Sequence, residues 1–498
     1  MLAALRPRDT KDVVAVVEVA ARYRVPLHTI STGHNWGYGT ALAVADATVV
    51  VDLSAMRAIR EFDEELGVVS VEPGVTQRDL AQFLAARSAP FLVPVTGAGP
   101  SCSLVGNALE RGYGITPICD HAAAIMALEA VLHDGSVLRP VLADLGAAQA
   151  AGVFRWGLGA YVNGLFLQAG HGIVTCMTLA LARRPESIRA FVMTARDGAE
   201  VELLVEAIRA VLRSHQANVG GINLMNARRV LAMSVGYPAS RLGDDGLIPD
   251  AVIDELRGER DIGQWTLYGT LYGSARVVSA VQSEIKSVLR PLAKRLLFVS
   301  RAKAQALSYL ARRLPGGLGR RFAPAAQTLA SSLALVEGEP SETALALAYW
   351  GGGQRPPAGE PLDPARDGCG LMWYAPLVPM HPRVVREYID FASATLREHA
   401  IEPLITLTSL SERCFDSSVP LLFDRSSPAA VARAQRCYTE LLERGRRRGF
   451  VPYRVHVDAM DWLTAHPSVH WQVIGRLKKA LDPHGIFSPG RYAPLNAA

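Results

Sequence analysis

The segment Ser31–Gly39, STGHNWGYG, constrains the fold of this chain more strongly than any other. It follows a short buried strand predicted over Pro26–Ile30, and three glycines fall within its last seven residues. Glycine allows backbone N–H groups to turn inward, and such a nest can hold a pyrophosphate. The spacing matches neither G-x-G-x-x-G nor G-x-x-x-x-G-K-[ST], so a nicotinamide Rossmann site and a P-loop are not indicated. On this segment alone, a phosphate site and a structural turn are equally good interpretations.

Three further segments rich in small residues follow in the same part of the chain. They are Glu72–Val75, Thr96–Ser101 and Gly106–Gly114. Each by itself predicts only a loop, but small residues let a backbone approach a ligand closely. Strand and helix signals alternate around these loops, as in an α/β domain. Together the loops favour an extended, phosphate-bearing cofactor.

Local patterns predict the elements around these loops. A helix is predicted at Asp12–Tyr23, and a second helix begins after the capping residue Thr76 and ends at Ala86. Ala122–Leu132 is either helical or a buried segment of another kind. The sequence pattern changes near Arg183–Pro185, which predicts a domain boundary there.

The composition excludes several classes of protein. The chain has 498 residues, of which 49% are hydrophobic and 20% charged, so disorder, a collagen and a coiled coil are excluded. The formal net charge of +5 is small for this length and gives no reason to expect nucleic-acid binding. We expect no membrane span and no secretory signal, and the six cysteines form no C-x-x-C pair. The expectation is therefore a reduced, cytoplasmic compartment and no metal site.

Several short motifs, spread over nearly the whole chain, are informative only together. They are Gly33–Gly39, Val71–Thr76, Gly106–Gly112, Cys119–His121, Gly172–Thr175, Tyr453–Arg454, Asp482–Ile486 and Ser488–Arg491. In this order they resemble the vanillyl-alcohol oxidase / para-cresol methylhydroxylase flavoproteins, and most closely the 4-cresol dehydrogenase branch. Glu72–Gly74 and Pro489–Gly490 occur throughout the wider FAD superfamily, so the specificity lies in the combination.

The resemblance implies an α+β chain that binds FAD. We expect a bipartite FAD-binding domain of the para-cresol methylhydroxylase type at residues 1–185 and an α+β cap domain, which contacts the substrate, at 186–435. The C-terminal segment, 436–498, would then return to the FAD-binding domain.

The resemblance also assigns residues to the cofactor. Those that would hold the FAD pyrophosphate are Ser31, Thr32, Gly33, His34 and Asn35. Those that would line the rest of the dinucleotide are Pro73, Gly74, Gly106, Asn107, Gly172, Ile173, Val174 and Arg491. Asp120 and His121 fall where the family keeps an Asp-His pair. A structural pair is at least as good an interpretation of them as an acid/base or metal role, and no third ligand has suitable spacing.

The family often links FAD covalently to a His or a Tyr. Where the oxidase branch has that His, the sequence has Leu371. Ala348–Trp350 is the nearest match to the Tyr linkage of the 4-cresol branch, so Tyr349 is the candidate for an 8α-O-tyrosyl bond. An ordinary buried aromatic pair is the alternative. A covalent bond should raise the reduction potential of the flavin.

The resemblance assigns catalysis to Tyr38, Tyr453 and Arg454. In the family, the matching residues bind a para-substituted phenol as its phenolate. An arginine stays protonated, so with two hydroxyl donors it favours the charged form of a phenol, whose ordinary pKa is about 10. The implied function is FAD-dependent oxidation of such a phenol at the benzylic carbon, by hydride transfer to flavin N5 through a quinone methide that water attacks.

Departures from the family pattern bear on the electron acceptor and the substrate. The loop Thr96–Ser103 contains no Asp, whereas the oxidase branch has one near flavin N5. This favours the 4-cresol branch, with a cytochrome c or another acceptor in place of O₂. In the cap, Glu412, Arg413 and Asp416 are available to contact a substrate, and the sequence does not say which of them points inward. A homodimer is usual in the family.

Two alternatives therefore stay open. One is an FAD-dependent oxidase of a different substrate, such as a natural-product intermediate or an alcohol. The other is a flavin-binding subunit without turnover, because the family has several tens of residues before the helix at Asp12 and this sequence does not.

Overall fold

A computed structural model describes residues 1–313, 330–351 and 359–495 of the chain. The chain divides into two compact units. Unit 1 consists of Met1–Gly114, Asp120–Arg183 and Val455–Ala498, and unit 2 of Ile115–Cys119 and Arg184–Arg454. Within the described ranges, no helix is both long enough and apolar enough to cross a membrane.

Helices and strands are mixed along the whole chain. The strands are β1 (Ala3–Leu5), β2 (Leu27–Ile30), β3 (Val49–Asp52), β4 (Ile59–Asp63), β5 (Val68–Val71), β6 (Phe91–Leu92), β7 (Ile125–Val131), β8 (Val137–Leu138), β9 (Ile173–Ala180), β10 (Ala182–Arg183), β11 (Ser187–Ala195), β12 (Asn223–Asn226), β13 (Trp265–Gly273), β14 (Ala293–Val299), β15 (Cys369–Tyr374), β16 (Leu377–Pro379), β17 (Thr406–Ser409), β18 (Cys414–Ser417) and β19 (Val419–Asp424). The helices are α1 (Thr10–Tyr23), α2 (Gln77–Ala86), α3 (Leu104–Leu109), α4 (Val141–Asp144), α5 (Ala148–Ala151), α6 (Val201–His215), α7 (Ala227–Ala232), α8 (Asp250–Arg260), α9 (Ala275–Leu289), α10 (Arg301–Arg313), α11 (Pro382–Glu398), α12 (Pro428–Arg447), α13 (Met460–Ala465) and α14 (Val469–Leu481). Residues 330–336 are also helical.

Unit 1 contains a small parallel sheet and a larger antiparallel sheet. The parallel sheet has the order β1-β3-β2, and the antiparallel sheet has the order β4-β5-β9-β7-β8. Helix α1 buries Val13 and Val17, which are four residues apart and therefore share one helix face, against Leu27 and Val51. The predicted helices at Asp12–Tyr23 and after Thr76 are present as α1 and α2, and Thr76 forms a capping box with Asp79.

The end of the chain completes the core of unit 1. The N–H of Leu27 on β2 donates to the carbonyl of Ile486 at 2.6 Å, and the N–H of Ser488 donates to the carbonyl of Leu27 at 2.7 Å. The side chains of Ile486 and Phe487 belong to the same apolar core as α1. The C-terminal segment therefore lies in unit 1, together with the residues before Arg183.

A buried ion pair fixes this C-terminal segment. Nζ of Lys478 on α14 lies 2.6 Å from the carboxylate of Asp482, one helical turn further on, and both side chains are almost completely buried. Nζ also donates to the backbone carbonyls of Phe487, at 2.5 Å, and Gly170. Because every group around the ammonium accepts a hydrogen bond, the buried charge is compensated.

Unit 2 is built on a seven-stranded antiparallel sheet with the order β14-β11-β13-β12-β17-β18-β16. The register aligns Leu267, Leu224 and Leu407 across three neighbouring strands. These side chains are at most 1% exposed and form an apolar face. Helix α9 packs against β11 and β13, and α11 packs against α6 and β16. The residues that alternate with the leucines lie on the opposite face and are mainly polar.

One boundary between the units lies later than the sequence predicts. The boundary expected at residue 185 falls at Arg183–Arg184, but the boundary expected after residue 435 falls after Arg454. Helix α12 runs through the expected boundary, and it packs against β15 and β19 of unit 2. Its apolar stripe, which includes Tyr438, Leu441 and Leu442, is buried there. The helix therefore belongs to unit 2 over its whole length.

Strand β7 decides between the alternatives for Ala122–Leu132. The segment is a strand between β8 and β9, with most of its residues buried. A strand that is covered on both faces has a continuous apolar run, so its sequence shows no period of two. This is why the pattern alone left its type open.

Candidate functional site

The glycine-rich segment after β2 forms a compact bend in unit 1. Its first residues, which lie outside any helix or strand, are Ser31, Thr32, Gly33, His34 and Asn35. Gly33 and Gly39 have φ angles of 70° and 108°, in the region that favours glycine. A Cβ atom on Gly39 would also overlap the side chain of Val457. Nδ1 of His34 lies 3.1 Å from the carbonyl oxygen of Ser101, which joins the bend to the loop Thr96–Ser103.

A second set of contacts brings Ser31 to two other loops. Ser103, the residue before α3, accepts a hydrogen bond from the N–H of Gly106 at 3.0 Å and donates to the carbonyl of Pro73 at 2.6 Å. A Cβ atom on Gly106 would overlap Oγ of Ser31, so only glycine permits this approach. A Cβ atom on Gly74 would lie 2.6 Å from each of two backbone carbonyl oxygens. Residues that are distant in the sequence thus meet in one place.

Asn107 and His121 form the next contact in unit 1. Nδ2 of Asn107 lies 2.5 Å from Nδ1 of His121. Burial lowers the pKa of His121 to about 4, so its imidazole is neutral at pH 7. Asp120 instead accepts a hydrogen bond from the N–H of Ala123 at 3.0 Å. Over the described parts of the chain, no cluster of His, Cys, Asp and Glu could hold a metal ion.

The remaining predicted cofactor residues of unit 1 lie at β9 and near the end of the chain. A Cβ atom on Gly172 would lie 2.7 Å from a backbone oxygen, and the next residues, Ile173 and Val174, are buried at the start of β9. Arg491 pairs with the carboxylate of Glu110, which directly follows α3. Arg491 is thereby held next to the end of α3, the helix that contains Asn107.

These loops fit a long cofactor that is held largely by backbone groups. The space that a side chain would take is already occupied at three glycines, by backbone oxygens at Gly74 and by the side chains of Val457 and Ser31 at Gly39 and Gly106. Nε1 of Trp36 and Nε2 of His121 are buried and have no hydrogen-bond partner within the described residues. Buried polar atoms normally have such partners, so a ligand that supplies acceptors is consistent with this region.

In unit 2, the face of the sheet opposite the leucines carries a row of polar side chains. We call Asn223, Thr406, Thr408 and Asp416 the polar sheet face. The strand register places Thr408 opposite both Asn223 and Asp416. Oγ1 of Thr408 donates to Oδ1 of Asn223 at 2.7 Å. The sequence did not identify this row, although the threonines at alternate positions of Thr406–Ser409 were a usable signal.

Asp416 is the carboxyl group that this face buries. Burial raises its pKa to about 7, although a hydrogen bond from Ser418 and the positive charge of Arg454 both lower it. Oδ1 of Asp416 has no hydrogen-bond partner within the described residues. Of the other two charged groups considered, Arg413 is 80% exposed at its side chain and pairs with Glu412. Asp416 is therefore a buried carboxyl group that can exchange a proton at neutral pH.

Tyr453 and Arg454 lie at the edge of the same sheet. The N–H of Tyr453 donates to the carbonyl of Ala375 at 3.3 Å, and the next strand residue, Leu377, is in register with Asp416. An antiparallel bridge between Pro376 and Pro452 joins this segment to the sheet, and on its other side the N–H of Leu377 donates to the carbonyl of Val451 at 3.1 Å.

The other two predicted aromatic residues lie apart in the chain. Tyr38 belongs to unit 1, and its carbonyl accepts a hydrogen bond from the N–H of Val457 at 3.1 Å. Tyr349 belongs to unit 2, and its hydroxyl donates to Asp367 at 2.5 Å. Burial and this neighbouring carboxylate both raise the pKa of Tyr349.

Comparisons with known proteins identify relatives over nearly the whole chain. Residues 1–140 match a family model described as an FAD binding domain. The chain is 34% identical to the 1'-carboxy-chondrochloren decarboxylase of Chondromyces crocatus over 491 residues, which cover 98% of this chain and 90% of that protein. It is 27% identical over 493 residues to the 4-cresol dehydrogenase (hydroxylating) flavoprotein subunit of Pseudomonas putida, covering 98% of this chain and 87% of that protein.

Two solved structures share the fold over almost the entire chain. The structure of p-cresol methylhydroxylase with substrate bound has a TM-score of 0.86 and 25% identity, covering 99% of this chain and 89% of that chain. A 4-ethylphenol oxidase from Gulosibacter chungangensis, in its isoeugenol complex, has a TM-score of 0.87 and 24% identity, covering 98% of this chain and 88% of that chain.

Proposed function

Because this chain belongs to the vanillyl-alcohol oxidase / para-cresol methylhydroxylase family of FAD-dependent oxidoreductases, we propose that it oxidises a para-substituted phenol at the benzylic carbon. FAD, when bound, supplies the acceptor for the hydride that leaves this carbon. The observation that carries the proposal is the neighbourhood of Arg454 and Asp416 at one edge of the polar sheet face. A permanent cation and a carboxyl group that titrates near neutral pH are what the ionisation of a phenol requires.

The proposed roles of the side chains follow from their charges. Arg454 stabilises the phenolate oxygen, because its guanidinium stays protonated, and the hydroxyl groups of Tyr38 and Tyr453 donate hydrogen bonds to the same oxygen. The carboxylate of Asp416 accepts the proton of the phenol hydroxyl and becomes a carboxylic acid. The phenolate pushes electron density through the ring, so the benzylic carbon releases hydride and the substrate becomes a neutral quinone methide. Water then adds to that carbon and gives the benzylic alcohol.

Anaerobic titration of the purified protein with para-substituted phenols tests this proposal. We expect 4-cresol, 4-ethylphenol or vanillyl alcohol to bleach the flavin absorbance near 450 nm (about the usual position of the oxidised band). The corresponding anisoles, which cannot ionise, should bleach it far more slowly. If no phenol of the panel bleaches the flavin, the proposed substrate class is wrong. Because Thr96–Ser103 lacks an Asp, the reduced protein should then pass electrons to a cytochrome or a dye faster than to O₂.

A covalent link between FAD and Tyr349 is a separate part of the proposal. It is supported by the hydrogen bond from Tyr349 to Asp367, since a carboxylate at 2.5 Å can accept the proton that the hydroxyl must lose. The denatured protein should retain flavin fluorescence on a gel, and the Tyr349→Phe variant should lose that band. Flavin that washes away from the unaltered protein would exclude the link. An Asp367→Asn variant with an undiminished band would show that Asp367 takes no part.

A second candidate function is oxidative decarboxylation of a substrate that carries a carboxylate on the carbon next to the benzylic carbon. It is favoured by the 34% identity, over nearly the whole chain, to a protein named as a decarboxylase. The chemistry balances with the same cofactor. Hydride leaves the benzylic carbon, the bond from the next carbon to the carboxylate breaks, CO₂ departs, and the electrons of that bond form a carbon–carbon double bond. Release of CO₂ in the anaerobic titration distinguishes this outcome from hydroxylation.

A further inference from the structure

Two adjacent arginines at the start of α7 have opposite surroundings. Arg228 is buried and pairs with two carboxylates, those of Glu402 and, at 2.7 Å, Asp250. Arg229 has a single side-chain hydrogen bond, in which Nε donates to Oγ1 of Thr406 at 3.1 Å. Nη1 of Arg229 is shielded from solvent and has no hydrogen-bond partner within the described residues.

Among the residues that the structure describes, no carboxylate forms an ion pair with Arg229. Burial lowers its pKa to about 10, and no nearby acidic group raises it again. The side chain is nevertheless protonated at pH 7. The ranges outside the described residues, 314–329, 352–358 and 496–498, contain no Asp or Glu. A shielded guanidinium without a counter-ion is costly, so its position indicates an anion that the chain itself does not supply.

The hydrogen bond to Thr406 places the Arg229 guanidinium at the polar sheet face. Thr406 and Thr408 are two residues apart on β17, so both project from this face. Arg454 lies at the edge of the same sheet, beyond β18 and β16. At ordinary strand spacing the backbones of β17 and of the Arg454 segment are about 14 Å apart. Because the two guanidinium groups reach this face from different elements and meet it at different strands, they suit the two ends of one substrate, the phenol oxygen and a carboxylate on the para side chain.

We propose that Arg229 binds a carboxylate on the side chain of the substrate, so that the protein selects 4-hydroxyphenyl compounds with an acidic side chain. The inference rests on the proposed function, because it takes the phenol end of the substrate to be at Arg454. It names Arg229 as a specificity-determining residue. It also gives the substrate the group that oxidative decarboxylation would remove.

Binding to the FAD-loaded protein, with the flavin chemically reduced so that turnover cannot contribute, tests the inference. Calorimetry compares 3-(4-hydroxyphenyl)propanoate with its neutral amide. We expect the unaltered protein to bind the carboxylate about 10- to 100-fold more tightly, the range typical of a hydrogen bond to a charged group. Arg229→Gln should abolish this preference, and Arg229→Lys should retain part of it. Arg295→Gln, at a half-exposed arginine that pairs with Asp261, serves as the control and should leave the preference unchanged.

A second measurement separates ligand binding from a structural role. Removing an uncompensated buried charge should leave the unfolding temperature of Arg229→Met equal to, or above, that of the unaltered protein. A large decrease in this temperature, or an equal loss of affinity for both ligands, would make Arg229 structural and overturn the inference. An absence of preference in the unaltered protein would overturn it as well. If the preference is present but no phenol bleaches the oxidised flavin, the proposed function fails while the assignment of Arg229 stands.

Discussion

The loops of unit 1 and the polar sheet face of unit 2 are built differently for binding. In unit 1, Gly74 lies against two backbone oxygens and Gly106 against Oγ of Ser31, and Ser103 and Arg491 are held by other parts of the chain. On the polar sheet face, Asp416 and the neighbouring Arg229 keep shielded atoms without a hydrogen-bond partner within the described residues. A site for an invariant cofactor can be fixed in advance by the backbone. A site for a reacting substrate needs ionisable groups whose surroundings the substrate completes.

The largest expected effect is in unit 1. Gly106→Ala should abolish FAD binding, because the added Cβ would overlap Oγ of Ser31 and force the two loops apart. The flavin content of the purified protein, read from its visible spectrum, measures this. The double variant Gly106→Ala/Ser31→Ala should recover flavin, since the Cβ of Ser31 is 3.4 Å from the new atom. Gly152→Ala, where the nearest atom is 3.9 Å away, is the matched control. Full flavin content in Gly106→Ala would contradict the view that close contact between these two loops is needed to bind FAD.

Arg454→Ala should have the next largest effect. It should slow anaerobic flavin reduction by a phenol at least about 100-fold, because a donor that stabilises developing charge contributes roughly 3 kcal/mol. Flavin content should be unchanged, which would separate the substrate region from the cofactor region. In the Arg413→Ala variant, which alters an 80% exposed side chain, the phenol should reduce the flavin at the normal rate. Equal rates in both variants would exclude Arg454 from the chemistry.

Asp416→Asn should change the pH dependence of flavin reduction. With a pKa of about 7, the unaltered protein should react about 10-fold faster at pH 8 than at pH 6, since only the ionised carboxylate accepts the phenol proton. The Asn variant should be slow and nearly independent of pH over this range. Glu412→Gln removes a neighbouring carboxylate and should keep the normal profile. A rate that falls with rising pH in the unaltered protein would contradict the role of Asp416 as a base.

The same raised pKa predicts a difference in stability. The folded protein holds the Asp416 proton up to about pH 7, whereas the unfolded chain releases it near its ordinary pKa of 3.8. The free energy of unfolding therefore falls as the pH rises through this window and is level above it. The free energy of unfolding of Asp416→Asn, relative to that of the unaltered protein, should therefore increase from pH 4 to pH 7. A constant difference would mean that Asp416 is not buried as a neutral acid.

The smallest effect is expected from Thr408→Val. It removes the hydrogen bond to Asn223 at nearly constant volume, so the free energy of unfolding should fall by about 1 kcal/mol. Chemical denaturation measures this, and flavin content should stay normal. A loss of flavin would show that a change on the polar sheet face affects cofactor binding, so that the two regions are not independent.

The cofactor region was predictable from the sequence because its signal is local. The glycines at 39, 74 and 106 each mark a place where a side chain would overlap its neighbours, and Gly33 has a positive φ angle that favours glycine. The resemblance to a flavoprotein family then gave the fold and the cofactor, and both are confirmed.

The region that we propose for the substrate was less predictable because its properties arise from pairing between distant strands. Nothing in the sequence distinguishes Asp416 from a surface aspartate, and its burial follows from its position between β17 and β16. Arg228 and Arg229 are likewise indistinguishable in the sequence, and only the fold gives them different partners. The boundary expected at residue 435 was misplaced for a related reason. Which unit receives helix α12 depends on where its apolar stripe is buried.

The position of Ile486 and Phe487 in the core of unit 1 has a consequence for biosynthesis. Leu27 on β2 exchanges two hydrogen bonds with residues that a ribosome adds more than four hundred positions later. Unit 2 is almost continuous in the sequence, so it can fold during translation, but the cofactor-binding half lacks part of its interior until the final residues emerge. A nascent chain stalled just before Lys478 should therefore already resist a protease in its cap half, while its flavin-binding half should acquire that resistance only after release.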